Sequence, residues 1–172
     1  SFYKRPQELA TDSATNDDFT LDFMNNNECE ILIQLLPTSP FLTPEEISAF
    51  VSKMTRENLD TLVSVARTQI ECVYDGIPVN FNQKKQSPPS QLLTPINAYA
   101  CGIMGWRSDN YKENMRAHGC GYHGGDGKID YFELKGYSTI DVDNEEDFLL
   151  AAAVLESRDK KVVPQYYGEE HS

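Results

Sequence analysis

Apolar positions along this chain fall into two alternating rhythms, unbroken runs and helical spacing. Residues 29–36, CEILIQLL, are nearly continuous in apolar character. Such a run predicts a central strand buried on both faces, as in a parallel sheet. Pro37-Thr38-Ser39-Pro40 stops it. Thr43-Pro44-Glu45-Glu46 is a capping box with Pro at the first helical position. Ile47, Phe50, Val51 and Met54 follow at i, i+3, i+4 and i+7, which predicts a helix to about Met54. Residues 60–66, DTLVSVA, read as the next strand, completing a βαβ unit with a right-handed crossover.

The flanks extend this pattern. Residues 1–4 read as the end of a strand and 5–15 as a loop. Thr15 or Asn16 caps a short helix to about Asn25, with Phe19 and Phe23 on one face. Tyr74-Asp75-Gly76-Ile77-Pro78 is a hairpin-like turn. Residues 84–95 are polar and proline-rich, an excursion from the sheet. Residues 97–106 and 128–134 read as strands, and 108–127 as irregular. A last helix is predicted over 144–157, capped by Asp143, with Phe148, Ala151, Ala152 and Leu155 facing inward. Trp106, Tyr99 and Phe132 read as core. The tail, 158–172, is polar and expected to fray, and Tyr166 and Tyr167 in it read as a packing anchor. The sum is one α/β domain over 1–157 with a mostly parallel sheet. Ligands of such sheets bind beyond the carboxyl ends of the strands. That directs attention to the loops at 37–40 and 138–143.

Composition narrows the function. A chain of 172 residues, 40% hydrophobic and 24% charged, suits one soluble globular domain. The net charge of −12 repels polyanions and argues against nucleic-acid binding. A nucleotide remains compatible if a metal offsets its charge. Cys29, Cys72, Cys101 and Cys120 are widely spaced without a CxxC pair, which suits a reducing, cytoplasmic setting. No apolar run approaches the ~18 residues of a membrane span. The first residues, SFYKRPQELA, contain no signal-peptide core.

The run 138–148, STIDVDNEEDF, carries the most chemistry. In extended backbone, residues two apart point to the same side, so Asp141 and Asp143 are expected to aim at one point. Mg²⁺ takes one or two carboxylates plus phosphate oxygens and water. Metal with phosphate points to nucleotidyl transfer. The plainer alternative is an acidic cluster that favours the helix dipole and caps its amides. Asn144, Glu145, Glu146 and Asp147 read as solvated first-turn residues. His118, Cys120, His123 and Asp126 invite a zinc reading. The glycines among them favour instead a mobile loop over the cleft.

Three segments in order resemble the CMP-sialic acid synthetases, the cytidylyltransferases that activate acidic nine-carbon sugars. They are Arg5-Pro6-Gln7-Glu8-Leu9-Ala10-Thr11-Asp12, Leu35-Leu36-Pro37-Thr38-Ser39-Pro40-Phe41, and residues 138–147. The resemblance implies a three-layer, Rossmann-like nucleotide-diphospho-sugar transferase fold. It implies transfer of CMP from CTP to a 2-keto sugar acid, with release of pyrophosphate. By position, Asp141 and Asp143 would hold the divalent metal, Mg²⁺. Arg5, Thr38, Ser39 and Gln91 would bind substrate, and residues 70–95 would form the dimerisation element of a homodimer. The family begins with a strand and a basic, glycine-containing loop for the CTP phosphates, so the chain is expected to be N-terminally truncated and inactive alone. Leu36 stands where family members carry Gln, Pro88-Pro89-Ser90 offers no Arg before Gln91, and Cys101-Gly102 replaces Asn-Gly. These departures leave two other readings, a non-catalytic or vestigial dimeric scaffold and a small metal-binding module on the Cys/His loop.

Overall fold

A computed structural model describes residues 2–159. A four-stranded sheet forms the centre, in the order β1 (Ile31–Leu35), β5 (Ile96–Arg107), β2 (Thr61–Thr68), β6 (Ile129–Leu134). β1, β2 and β6 run the same way, and β5 runs against them. Helices α1 (Asn16–Asn26) and α3 (Ser108–His118) cover one face, and α2 (Pro44–Arg56) covers the other. The α/β class and the layered architecture agree with the sequence pattern. The expectation of a central strand buried on both faces is overturned for β1: Ile31, Leu32, Ile33 and Gln34 are only partly buried and Leu35 is exposed. Among the described residues it lies at the sheet edge, paired on one side only.

Alternation explains the unbroken apolar runs. Leu62 and Ile103 point to the α2 side with Phe50, Met54, Leu59 and Leu134. Their neighbours Val63 and Met104 point to the α1/α3 side with Met24, Trp106 and Tyr111. Each such side chain, fully buried, stabilises by about 1.5–3 kcal/mol. α2 sits very close to the sheet at Gly105, where a Cβ would lie 2.7 Å from Met54 Sδ and 3.0 Å from Phe50. Glycine is required there for the layers to meet.

Both expected helix starts are built as capping boxes. Thr15 and Asp18 close α1, and Thr43 and Glu46 close α2. The expected hairpin is β3 (Val73–Tyr74) and β4 (Ile77–Pro78), a two-stranded ribbon outside the main sheet. Its turn residues Asp75 and Gly76 have φ of 48° and 76°, the pair of positive values a tight type I′ turn needs.

Further expectations change. Residues 2–4 form no strand; Tyr3 instead packs edge-on against Phe23 and donates to Asp22. Residues 108–118 are helical rather than irregular. α3 reads as polar because Asn114, one of its buried residues, is an amide and only Tyr111 and Met115 supply the apolar stripe. The last helix, α4 (Glu145–Asp159), is capped by Asn144 rather than Asp143: Asn144 Oδ1 accepts from the amides of Glu146 and Asp147. Finally, α4 buries Ala151 and Val154 against Phe41, while Phe148 and Leu155 are half or more exposed. The expectation for Tyr166 and Tyr167 lies outside the described residues. Trp106 is fully buried and Phe132 packs on Phe50, whereas Tyr99 is partly exposed. No helix among the described residues is long and apolar enough to cross a membrane.

Candidate active site

Two turns meet at the carboxyl end of β1. The first follows the strand: Pro37 enters a turn closed by Ser39 N–H donating to the Leu36 carbonyl at 3.1 Å. Pro fits the second position of such a turn because its φ is already fixed. The second turn follows β6 and the short 3₁₀ segment Gly136–Thr139. Val142 N–H donates to the Thr38 carbonyl at 2.9 Å. Ser138 Oγ lies 2.8 Å from Glu46 Oε2 and 3.3 Å from the Phe41 carbonyl. Ile140 and Val142 pack with Phe41, Ala151 and Val154 beneath the turn. Arg158 closes the rear, its guanidinium 5.3 Å from the ring centres of both Phe41 and Tyr137, a cation–π arrangement.

Asp141 is the unusual member of this unit. Its Oδ1 is the one buried side-chain oxygen or nitrogen without a hydrogen-bond partner among the described residues. Leaving a buried acceptor unpaired costs roughly 1–3 kcal/mol, and more when it is charged. Asp143 is exposed, and since Asn144 caps α4 its carboxylate is not needed there. No group of three or more His, Cys, Asp or Glu among the described residues is arranged to hold a metal. A two-carboxylate site fits Mg²⁺, which keeps waters and takes phosphate oxygens for the rest of its shell. The orphaned Asp141 oxygen fits that role.

The other expected site residues are distributed as follows. Thr38 and Pro40 border a groove of about 360 Å³ with Val142, Phe148, Ala152 and Leu155. Ser39 is buried, and a Cβ on Gly102 would lie 3.1 Å from its Oγ. Its hydroxyl therefore packs against β5 rather than lining an open floor. Arg5 stacks on Phe19 at 5.1 Å and lines a separate groove along the outer edge of β1, with Tyr3, Phe23, Leu32 and Gln34. Gln91 lies in the excursion, in the 3₁₀ segment Ser90–Leu92, and its carbonyl accepts from Gln69. No hydrogen bond or ion pair joins Arg5 or Gln91 to the two turns among the described residues.

The Cys/His loop does not form a metal site. His118 Nε2 faces Asp126 Oδ2 at 2.7 Å, His123 packs between Tyr99 and Tyr122, and Cys120 is exposed. The loop is also tied down despite its glycines. Asp17 Oδ1 accepts from Gly121 N–H, Tyr122 N–H and Tyr111 Oη at 2.7–2.9 Å. Asn114 accepts from Asp126 N–H and donates to the Gly124 carbonyl. Burial, then the bond to Asp17, pushes the Tyr111 phenol far above its ordinary pKa, so it stays a donor. Burial and the Cys101 thiol do the same to Tyr122. Sequence reasoning missed Asp17, Asn114 and the second role of Glu46. Asp17 was legible only as a first-turn helix acid, and Glu46 only as a cap.

No protein-family model matches the chain. Solved structures do resemble it. The 4-diphosphocytidyl-2C-methyl-D-erythritol synthase of Anaerococcus prevotii aligns over 84% of this chain and 68% of its own, with a TM-score of 0.57 and 14% identity. A CMP:2-keto-3-deoxy-manno-octonic acid synthetase solved with CTP aligns over 86% and 70%, with a TM-score of 0.56 and 16% identity. The bifunctional IspDF of Campylobacter jejuni aligns over 78% of this chain but only 34% of its own, with a TM-score of 0.57 and 9% identity. The chain thus spans about two thirds of the first two and about a third of the bifunctional protein. At these identities the likeness is one of fold, and the fold shared is the Rossmann-like architecture of cytidylyltransferases.

Proposed function

We propose that this domain carries the metal and acceptor side of a cytidylyltransferase site. CMP would pass from CTP to an acidic 2-keto sugar, with release of pyrophosphate. The observation that carries the reading is the Asp141 oxygen left without a partner in a turn clamped to the 37–40 turn. The fold shared with a CMP:2-keto-3-deoxy-manno-octonic acid synthetase supports a keto-acid acceptor.

In this reading the anomeric hydroxyl oxygen bonds to the α-phosphorus. The bond from that phosphorus to its bridging oxygen breaks, pyrophosphate leaves with the electron pair, and the hydroxyl proton passes to water. Asp141 and Asp143 would hold the Mg²⁺, which would offset charge on the phosphates. That offset matters in a chain of net charge −12. The clamp holds the backbone on both sides of Asp141 before substrate arrives, which lowers the cost of orienting that residue at the reacting step. The groove beside Thr38 and Val142 takes the carbon face of the acceptor. Arg5 offers a guanidinium from the β1 edge, and Gln91 and Ser39 have no contact that commits them to substrate.

The reading includes a homodimer in the cytoplasm. The excursion exposes Ile70, Val73, Tyr74, Ile77, Val79 and Leu92, each more than half accessible. An apolar cluster of that kind marks an interaction surface. Incubation of the intact protein with CTP, Mg²⁺ and a panel of 2-keto sugar acids tests the function. Pyrophosphate release that depends on one acid is the expected outcome. A folded dimer that releases none with any acid favours the non-catalytic scaffold.

A further inference from the structure

We infer that Ser138 and Glu46 are positioning residues that set the cation affinity of the Asp141 turn, an inference that rests on the metal site proposed above. Glu46 Oε2 accepts three hydrogen bonds: from Thr43 N–H at 2.9 Å, from Thr43 Oγ1 at 3.0 Å, and from Ser138 Oγ at 2.8 Å. The first two close the helix cap of α2. The third crosses 92 residues of sequence to the segment that carries Asp141. One carboxylate therefore ties the start of α2 to the start of the acidic turn.

The geometry makes this more than a surface contact. Ser138 is 8% exposed, and a hydroxyl bonded to a carboxylate is among the stronger hydrogen bonds. Three residues on from Ser138 is Asp141, and one further is Val142, whose amide is held by Thr38. The acidic turn is thus pinned on both sides of Asp141, by Ser138 before it and Val142 after it. A buried oxygen without a donor would otherwise rotate toward solvent or a neighbouring amide. Pinning its backbone at both ends keeps it available to a cation. Groups that orient ligands without touching the metal are typically worth about 10–100-fold in metal affinity.

The test uses Mn²⁺ as the probe ion on the full chain, with Ser138→Ala, Ser138→Thr and Glu46→Gln. Ser138→Ala leaves the α2 cap intact. It is expected to weaken Mn²⁺ binding about tenfold and to speed hydrogen exchange at the Val142 amide. Ser138→Thr restores both. Glu46→Gln keeps a cap, since Gln also serves at that position, but loses the charged acceptor and falls between. Mn²⁺ affinity unchanged in Ser138→Ala overturns the inference, as does unchanged protection at Val142. If the unaltered chain binds no Mn²⁺, the metal reading fails first and the role of Ser138 fails with it.

Discussion

The chain has two loops whose residue types its sequence offers as metal ligands, residues 118–126 and 138–143, and the fold pairs off the polar groups of only the first. In the first, the charged and polar groups answer one another. His118 meets Asp126, Asn114 holds the backbone of Gly124 and Asp126, and Asp17 collects three donors from the loop and from α3. In the second, the backbone is pinned just as firmly, yet Asp141 Oδ1 is buried without a donor. Ligand-like residue types occur in both. What separates them is whether the protein supplies the partners itself. A buried acceptor that the fold leaves unpaired is a cost that a bound cation would remove, and the metal site proposed above rests on it, whereas a paired one belongs to the scaffold.

Two substitutions break that contrast from opposite sides. Asp141→Asn keeps the shape and removes the charge. In the intact protein pyrophosphate release is expected to fall about 10³-fold, roughly 4 kcal/mol in the barrier, while thermal stability holds or rises because Oδ1 no longer carries an uncompensated charge. Unaltered release would remove Asp141 from the site. Asp17→Ala is expected to do the reverse. It strands two backbone N–H groups and a buried phenol, at about 3 kcal/mol. For a domain of this size that lowers the melting temperature by roughly 6–12 °C. The amides of Gly121 and Tyr122 should then exchange fastest, and added Zn²⁺ should restore nothing. A loss below about 0.5 kcal/mol would mean that Asp17 does not hold the loop.

The same contrast explains what could be read from the chain. The apolar run of β2 and the Phe50 and Met54 positions of the α2 stripe show their burial in sequence, because period and burial coincide there, whereas Val51 of the same stripe and Leu35 of β1 are exposed. The capping boxes at Thr15 and Thr43 were legible too, as was the Asp-Gly of the hairpin. α3 was not legible, because its inward face includes Asn114, whose burial depends on partners in a loop ten residues on. The acidic run that carries Asp141 and Asp143 was legible, but the clamp that holds it was not. Ser138–Glu46 and Val142–Thr38 are contacts between remote segments, and no local pattern encodes them. The cap of α4 was misassigned to Asp143 for a related reason. Asp143 and Asn144 are both good caps, and only the fold shows that Asn144 takes the role and leaves Asp143 exposed.

Cys101 sits between the two loops and provides the smallest and sharpest test of how they differ. Its sulfur lies 3.8 Å from the Tyr122 hydroxyl of the satisfied loop. The next residue, Gly102, abuts Ser39 and Leu42 beside the open site. Cys101 has φ of 53° at the irregularity in β2–β5 pairing, a left-handed conformation that Cys adopts poorly and Asn tolerates. If this strain is structural, Cys101→Asn relieves it and stabilises the chain by about 0.5–1 kcal/mol, or roughly 1–4 °C in melting temperature. Cys101→Ala keeps the strain and loses the sulfur contact, so it should be less stable than the unaltered chain. The order Asn, Cys, Ala from most to least stable is therefore the expected result of thermal unfolding. Equal stability of the Asn and Ala variants would show that the backbone there is unstrained, and equal stability of the Ala variant and the unaltered chain would show that the contact of the sulfur with the Tyr122 hydroxyl contributes nothing. The expected order would instead mark Cys101 as a strained join at which the self-satisfied half of the molecule abuts the half that lacks a partner.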